Sequence, residues 1–499
     1  AAYNICNGNG QWHYDMLGGW FNDDQLLDMT NDFNDEFNYL NYVERDVINE
    51  MALIVPDSNV EYARWSLTQD GDYAKAANAV RTQYTYKWQR KELDKAGAGY
   101  DVYGLSTMVD GLVPEHKIYV FLNPYVLTKP ELEAIEKNCK QNGKICIFLM
   151  ESGYGYNTDD LDEKLAELQS ENCKIGYSEQ NMKDFTGFDI KVELLTPRQG
   201  EAGQVKLTDS GSVITKNSVG SKFGAMTSSI SYFRRKLWVE DDGSDSFVKL
   251  GVLASDESKI GFAMKKMPAA DGDGEWTSIW CAAPYISQEV YRGILEYAGV
   301  HIWTEDNSLI VWHNSSYVGA HSASSGNKTI YLDGYYSVYD VYAKKYVSMN
   351  TNVIEYYNNV NDTKLYRLSE PNKYTVLARV SGGHGSITDA GLNKLDGGTS
   401  KTFTVTADEG YVVKSVTING ENVSLNENGE FTLENVNDSY QIVVRFKRTP
   451  VEEYVERWAV KEDVVKVPDW VVILVTVVII GGIVALIVYK NFFKKAVKK

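Results

Sequence analysis

The 499-residue sequence predicts a multidomain protein of α/β plus β class that ends in a single transmembrane helix. Buried-strand patterns alternate with helix patterns through residues 46–195, which is typical of a parallel sheet with helices on both faces. Period-two strand patterns dominate residues 196–448. One charge-free apolar run, residues 470–489, is long enough to cross a bilayer.

The composition excludes several classes of protein. Apolar residues make up 43% and charged residues 24%, which excludes a wholly disordered chain. The net charge of −18 excludes a nucleic-acid binder, which should be basic. The 5 cysteines include no CxxC pair, so a zinc or thioredoxin-type site has no support. Buried thiols at Cys139 and Cys146 are favoured over a disulfide between them.

The elements of the α/β region can be assigned in chain order. The helical spacing of Leu26, Met29, Phe33 and Phe37 predicts a helix, with Asn22 or Asp23 as the N-cap. Thr128 is the predicted N-cap of a later helix. Buried strands are expected at 47–55, 117–122 and 144–150, and the helices between them at 74–96 and 129–142.

The β region divides into three parts. An insertion precedes a short helix over 286–298, a small antiparallel β-sandwich is predicted for 299–369, and a separate β module covers 370–448. Asn419-Gly420 in the module is a strong hairpin signal. Strands are expected at 223–239, 247–253 and 260–265 in the insertion, and at 301–304, 309–313, 328–332 and 337–342 in the sandwich.

The C-terminal apolar run carries the marks of a membrane anchor. Trp470 and Tyr489 lie at its two ends, where amphipathic rings favour the membrane interface. Gly481 and Gly482 permit close helix packing without forming a GxxxG motif. The tail 490–499 has no acidic residue, so the positive-inside rule places it in the cytoplasm and the bulk of the chain outside. Its lysines are Lys490, Lys494, Lys495, Lys498 and Lys499.

Residues with metal or modification chemistry are few. Acidic clusters at 240–245 and 271–275 could bind calcium, but neither has EF-hand spacing and hairpin turns explain both, so no cofactor is expected. Histidines 301, 313 and 321 could meet in space, although structural roles are favoured. Glycosylation is permitted outside the membrane at five sequons, which begin at Asn314, Asn327, Asn361, Asn422 and Asn437.

Two long segments resemble the β-galactosidases of glycoside hydrolase family 42. They are KIYVFLNPYVLTKPELEAIEKNCKQNGKICIFL at 117–149 and SIWCAAPYISQEVYRGILEYAGVHIWTEDNSLIVWHNSSYVGAHSA at 279–323. In that family the second segment bridges an amidotransferase-like (flavodoxin-like) trimerisation domain and a small C-terminal β-domain. The resemblance covers residues 12–368, and residues 12–40 resemble the last strand and helix of the family's (β/α)8 barrel. Residues 375–447 resemble an internalin-type bacterial B repeat.

The resemblance implies roles for individual parts. The amidotransferase-like domain would form a homo-oligomer, a trimer in the family, and its ancestral active site would be lost, so neither Cys146 nor Ser152 is expected to be a nucleophile. On a barrel strand Trp12, His13 and Asp15 would face a sugar, which makes carbohydrate a candidate partner. The implied domains are a barrel remnant (1–45), the amidotransferase-like domain (46–298), the sandwich (299–369), the B-repeat-like module (370–448), a linker (449–469), the transmembrane helix (470–489) and a cytoplasmic tail (490–499).

Three functions are compatible with these features. Glycoside hydrolysis needs two carboxylates on one scaffold, and one barrel unit cannot supply both. The first 20 residues also lack a signal peptide, so the expected product is the processed, membrane-anchored C-terminal portion of a β-galactosidase-like surface protein, with assembly, stalk and anchoring roles. One alternative is a subunit of an active surface hydrolase whose carboxylates lie on a cleaved barrel chain. The other is an adhesin or surface-coat protein.

Overall fold

The structure, a computed structural model, describes residues 1–10, 23–47, 49–57, 85–154, 179–194, 203–224, 235–270, 272, 274–450 and 467–496. The chain divides into two compact units. The first contains residues 1–375 with 394–399 and 435–439, and the second contains residues 376–393, 400–434 and 440–499. The protein is a mixed α/β chain with several sheets and one apolar C-terminal helix.

The first unit is built on an eleven-stranded mixed sheet. Its strands are β1 (Met51–Val55), β2 (Asp101–Gly104), β3 (Ile118–Phe121), β4 (Ile145–Leu149), β5 (Ile190–Leu194), β6 (Val205–Leu207), β7 (Lys222–Phe223), β8 (Arg235–Val239), β9 (Val248–Leu253), β10 (Asp256–Pro268) and β11 (Glu275–Cys281). The helices of this unit are α1 (Ala2–Cys6), α2 (Asp24–Tyr39), α3 (Leu105–Val109), α4 (Lys129–Cys139), α5 (Glu179–Thr186) and α6 (Gln288–Tyr297), and residues 85–93 are also helical.

Five neighbouring strands, in the order β2-β1-β3-β4-β11, run parallel. Strand β4 reads ICIFL and is buried at every position, because elements cover both faces of a parallel sheet. Helix α4 begins where predicted, with a capping box between Thr128 and Glu131. The rest of the sheet is antiparallel and continues from β11 through β10, so the predicted β insertion extends the same sheet.

The predicted strand 223–239 is wrong in its extent. It corresponds to β7, which ends at Phe223, and to β8, which begins at Arg235, with residues 225–234 outside the described part. Residues 301–304, also predicted as a strand, form none. Instead the Trp303 N–H donates to the carbonyl of Gly97 at 2.7 Å, which ties this segment to the loop after the helical residues 85–93.

The predicted sandwich is one five-stranded antiparallel sheet in the order β12-β13-β16-β14-β15. Strands β14 and β15 are 15 and 14 residues long, and register shifts between them bend the pair. The bent sheet encloses a hydrophobic core of its own. That core contains Val318, Ile330, Ile354 and Leu368. The strands are β12 (Leu309–His313), β13 (Tyr317–Ser322), β14 (Gly326–Asp340), β15 (Lys345–Asn358) and β16 (Thr363–Ser369).

The two N-terminal helices pack on this antiparallel sheet. The side-chain amide of Asn314 donates to the carbonyls of Ile5 and Cys6 at 3.2 and 3.0 Å, which caps the last turn of α1. Helix α2 is held by Glu36, which accepts from the Tyr317 hydroxyl at 2.8 Å and lies 3.5 Å from Arg367 Nε. Helices α1 and α2 are therefore integrated into the fold around residues 309–369.

The second unit contains a β module and the C-terminal helix. The module has a five-stranded sheet, β19-β17-β24-β21-β22, and a three-stranded sheet, β18-β20-β23. Asn419 and Gly420 have φ of 49° and 89° and form the predicted hairpin turn. The elements are β17 (Lys373–Ser381), β18 (Gly385–Ile387), β19 (Gly391–Asp396), β20 (Lys401–Ala407), β21 (Tyr411–Ile418), β22 (Glu421–Asn422), β23 (Glu430–Leu433), β24 (Tyr440–Arg448) and α7 (Asp469–Ala496).

The buried ion pair predicts a large effect of Glu36→Ala. Removing one partner leaves the Arg367 guanidinium charged and buried, so the free energy of local opening of α2 should fall by about 3–5 kcal/mol. Asp32→Ala on the same helix breaks only the exposed ion pair with Lys344 and should cost about 0–1 kcal/mol. Hydrogen exchange of the α2 amides measures both, and equal protection in the two variants would contradict the role of Glu36.

Candidate functional site

The carboxyl edge of the five parallel strands is where α/β folds place their ligand sites. The chain passes from β1 to β2 on one side of the sheet and from β3 to β4 on the other, so the crevice between β1 and β3 is a topological switch point. Asp57 follows β1, Asn123 follows β3, and residues 150–153 follow β4. These residues form the carboxyl-edge site.

Met150 occupies the turn that directly follows β4. Its φ is 50°, a left-handed backbone conformation that is uncommon outside glycine, and its side chain is fully buried. The Met150 N–H donates to the Cys281 carbonyl and its own carbonyl accepts from the Trp280 indole, each at 2.8 Å. A strained strand-to-helix turn is the geometry that exposes a nucleophile in other α/β enzymes. Here the turn is held in place, but the thioether of Met150 is not a hydrolytic nucleophile.

Neither sequence-derived nucleophile candidate is presented to a ligand. Cys146 lies inside β4 with its thiol donating to the Cys139 carbonyl at 3.4 Å, and burial raises the pKa of this thiol well above its ordinary value. Ser152 is fully buried, and its hydroxyl donates to the Leu149 carbonyl at 2.7 Å. Cys139 and Cys146 are free thiols, as the sequence favoured.

The polar groups of the carboxyl-edge site contact one another. The Asn123 amide donates to the fully buried Glu151 carboxylate at 3.5 Å. The Ser106 N–H and hydroxyl both donate to the Asp57 carboxylate, the first at 3.2 Å. Asn123, like Met150, has a positive φ, of 48°. The site therefore contains buried carboxylate and amide groups, and the exposed Ser106 hydroxyl is bonded to the Asp57 carboxylate.

A pocket of about 570 Å³ lies at the opposite, amino edge of the same strands. Three lysines line it, and each is paired with a glutamate, which leaves little net charge for a ligand. The N···O distances are 2.8 Å for Lys117–Glu50, 3.0 Å for Lys144–Glu115 and 3.6 Å for Lys266–Glu275. This pocket is suited to neither strong anion nor strong cation binding.

Buried His116 lies beside this pocket. Its Nδ1 is 2.7 Å from the Pro114 carbonyl and its Nε2 is 3.1 Å from the Asp101 carboxylate. Both ring nitrogens therefore face oxygen acceptors. Asn49 also donates to Asp101, at 2.7 Å. These bonds fix β2 at the edge of the sheet.

The other sequence-predicted site residues are spread over the chain. Trp12, His13 and Asp15 lie outside the described residues, so their sugar-facing role stays a prediction. No group of three or more metal-ligating side chains occurs among the residues that the structure describes. In the first acidic cluster, Asp241 and Asp242 accept from backbone N–H groups of their own turn, and Asp242 pairs with Lys265 at 2.9 Å.

One of the five sequons is buried. The Asn314 side chain is 3% exposed, and both ends of its amide are bonded, to α1 and to the N–H groups of Ser316 and Tyr317. A glycan on Asn314 would require these contacts to break, so the fold opposes this site. The remaining four acceptors are exposed and their glycosylation stays a prediction: Asn327, Asn361, Asn422 and Asn437.

Helix α7 contains every residue of the predicted membrane anchor. Residues 469–490 are apolar enough to cross a membrane, and none of that window is buried within the protein. Trp470, Gly481, Gly482 and Tyr489 lie inside this span, and Lys490 ends it. Lys494 and Lys495 follow in the same helix.

The histidines of the antiparallel-sheet region do not converge on one site. His321 bonds the Thr363 hydroxyl at 2.9 Å, and His301 contacts the Tyr331 carbonyl at 2.8 Å. His313 stacks on Trp303 with ring centroids 4.1 Å apart, and burial lowers its pKa to about 4. The nearby Asp333 partly opposes this shift.

The lowered pKa of His313 predicts loss of stability in acid. The unfolded chain takes up the proton near the ordinary pKa of about 6.5, while the folded protein resists it until about pH 4. The free energy of unfolding should therefore fall by up to about 3 kcal/mol over this interval. Urea unfolding from about pH 7 to about pH 4 measures this fall, and His313→Phe, which keeps the ring stack without titrating, should flatten it. Identical pH profiles for the two proteins would show that His313 is not responsible.

Comparisons with known proteins give no family assignment. No family model and no curated protein matches the chain. Solved structures with partial similarity include β-galactosidases from Bacillus circulans sp. alkalophilus (12% identity, TM-score 0.39, covering 64% of this chain and 41% of that one) and from Rahnella sp. R3 (12%, 0.41, 69% and 44%). Another is a catalytic mutant of a GH42 β-galactosidase from G. stearothermophilus (10%, 0.40, 70% and 44%). The chain thus spans less than half the length of the β-galactosidases it matches.

Proposed function

We propose that this chain is the membrane-anchored portion of a β-galactosidase-like cell-surface protein, with assembly and display as its own role. The observation that carries the proposal is helix α7. Its 22-residue apolar span is about 33 Å long, which matches the ~30 Å hydrocarbon core of a bilayer. Side chains such as Leu474, Val478 and Leu486 are 59–68% exposed, a surface that is stable in lipid and unfavourable in water.

The charge pattern supports an orientation for the anchor. All acidic residues precede Trp470, while the last ten residues carry five lysines. The positive-inside rule therefore favours a cytoplasmic C-terminus and an external folded region. The folded region would then be displayed on the outer surface, with the β module between the first unit and the anchor in the sequence.

The N-terminal helix α2 supports a role in assembly. The C-terminal part of α2 is fixed by Glu36, and its first turns present Leu26, Leu27 and Met29, which are 37%, 45% and 46% exposed. Apolar side chains grouped at one end of a helix favour contact with further polypeptide. Residues 12–40 resemble the last strand and helix of a (β/α)8 barrel, so we propose that barrel as the partner.

The α/β domain supports a role other than catalysis. The turn after β4 carries Met150 where an enzyme of this architecture would carry its nucleophile. Ser152 and Cys146 are buried and bonded internally. If the assembly hydrolyses glycosides, its two carboxylates would lie on the barrel.

The anchor is tested by membrane extraction. In Val478→Arg/Ile479→Arg, each arginine should oppose insertion by about 2.5–3.5 kcal/mol, so alkaline carbonate should release this variant from membranes and leave the original chain in the pellet. The control Val478→Leu/Ile479→Leu keeps the span apolar and should stay in the pellet. Release of the original chain, or retention of the arginine variant, would contradict the proposed anchor.

The barrel partner is tested by peptide mapping of the detergent-extracted complex. We expect barrel peptides in equal amount with this chain, and their loss in Leu26→Asp/Leu27→Asp, because charged side chains cannot be buried unpaired. Asp28→Asn, on the same turn, should retain them. If barrel peptides are present, galactoside hydrolysis by the complex distinguishes a working surface hydrolase from a display protein. Their absence would overturn the proposed partner and leave the anchor unaffected.

A further inference from the structure

A second pocket, of about 240 Å³, lies within the first unit, and Asn49 lines both this pocket and the one at the amino edge of the parallel strands. It is formed by four parts of the chain: helix α1, the residues directly before β1, the stretch from the helical residues 85–93 to β2, and strand β12. We call it the aromatic pocket, because its walls include Tyr3, Tyr86, Tyr100 and Trp312. It is independent of the anchoring and assembly roles proposed above.

One wall comes from a single helix face. Tyr86, Arg90 and Asp94 are spaced four residues apart, so they lie on the same side of the helix. The Arg90 guanidinium is 5.7 Å from the Tyr86 ring centroid. The Tyr100 hydroxyl lies between the two charged groups, donating to Asp94 at 2.6 Å and accepting from Arg90 Nε at 3.3 Å. This wall combines an aromatic face with a fixed guanidinium–carboxylate pair.

The facing wall is aromatic. Tyr3, on α1, packs edge-to-face against Trp312, on β12, with ring centroids 5.4 Å apart. The Tyr3 side chain is 46% exposed, so its ring is accessible to a solute. The Asn7 amide donates to the Tyr3 carbonyl at 2.8 Å and holds the local backbone.

The polar pair retains unused hydrogen-bonding capacity. Arg90 Nη1 and Nη2 donate to no residue that the structure describes, and Asp94 Oδ2 accepts from none of them. The pocket therefore offers several N–H donors and a carboxylate acceptor beside apolar ring faces. A sugar ring has both features in one molecule, hydroxyls that donate and accept and a C–H face that packs on aromatic rings.

Other ligand classes fit these walls less well. A purely apolar molecule would cover Arg90 Nη1 and Nη2 and Asp94 Oδ2 without bonding them, which is costly. An anion would pair with Arg90 but would be repelled by Asp94. The volume is below the ~300–1,000 Å³ of pockets for drug-sized ligands, so the occupant is one ring. We propose that the aromatic pocket binds a single hexopyranose unit through Arg90, Asp94 and the rings of Tyr3, Tyr86 and Trp312.

Saturation-transfer NMR on the full chain tests this proposal, in a detergent without a sugar headgroup and with D-galactose, D-glucose and D-mannose as probes. We expect at least one sugar to bind with a Kd on the order of 1 mM, typical of a small ligand in a preformed site. Arg90→Ala and Tyr3→Ala should each weaken binding roughly tenfold or more. Lys91→Ala removes a positive charge from the exposed side of the same helix and should leave the Kd unchanged.

Three results would overturn the proposal. One is the absence of saturation transfer to all three sugars at tens of millimolar, roughly tenfold above the expected Kd. Another is unchanged binding in both Arg90→Ala and Tyr3→Ala. The third is binding of cyclohexanol as tight as that of the sugars, since this would show an apolar cavity with no use for the polar pair. Tyr3→Ala keeps the test valid if Arg90→Ala does not fold, because the exposed Tyr3 ring contributes little to the core.

Discussion

The buried pair of Glu36 and Arg367 is the contact on which the N-terminal part of the structure depends. Arg367 lies between the rings of Tyr39 and Tyr339, with its guanidinium carbon 4.2 and 4.4 Å from their centroids. Both charged side chains are 5% exposed, so neither can lose its partner without leaving a charge in a poorly hydrated site. Such a pair adds modest net stability but strongly favours one position of α2. By fixing the helix, it also fixes where the apolar side chains at the other end of α2 lie.

Long-range contacts hold the turn that follows β4. Met150 has a left-handed backbone conformation, its N–H donates to the Cys281 carbonyl, and its carbonyl accepts from the Trp280 indole. A turn of this kind costs conformational free energy and is retained only where its surroundings enforce it. In this protein the surroundings are the neighbouring strand β11 and its tryptophan, which use the turn for packing.

Local patterns were enough to predict much of this fold. The continuous apolar run of β4, the capping box at Thr128 and the Asn419-Gly420 turn each depend on a few adjacent residues. Long-range partners could not be predicted in this way. Asn314 begins a sequon, yet its side-chain amide bonds the carbonyl of Ile5 in α1, 309 residues earlier in the chain. The pattern of residues 301–304 predicts a strand, but the Trp303 N–H bonds the Gly97 carbonyl. The aromatic pocket combines four segments that share no sequence pattern.

The sequence separation between Glu36 and its partners also affects how the chain folds during synthesis. Tyr317, which bonds Glu36, is synthesised 281 residues later. At about 5–20 residues per second, the ribosome needs roughly 15–55 s to reach it, while helices form in microseconds or less. During that delay α2 exposes both of its faces, including the buried glutamate and the apolar Leu26 and Leu27. The nascent chain therefore exposes an apolar surface to chaperones, or to the barrel proposed as a partner, before the sheet that receives α2 is synthesised.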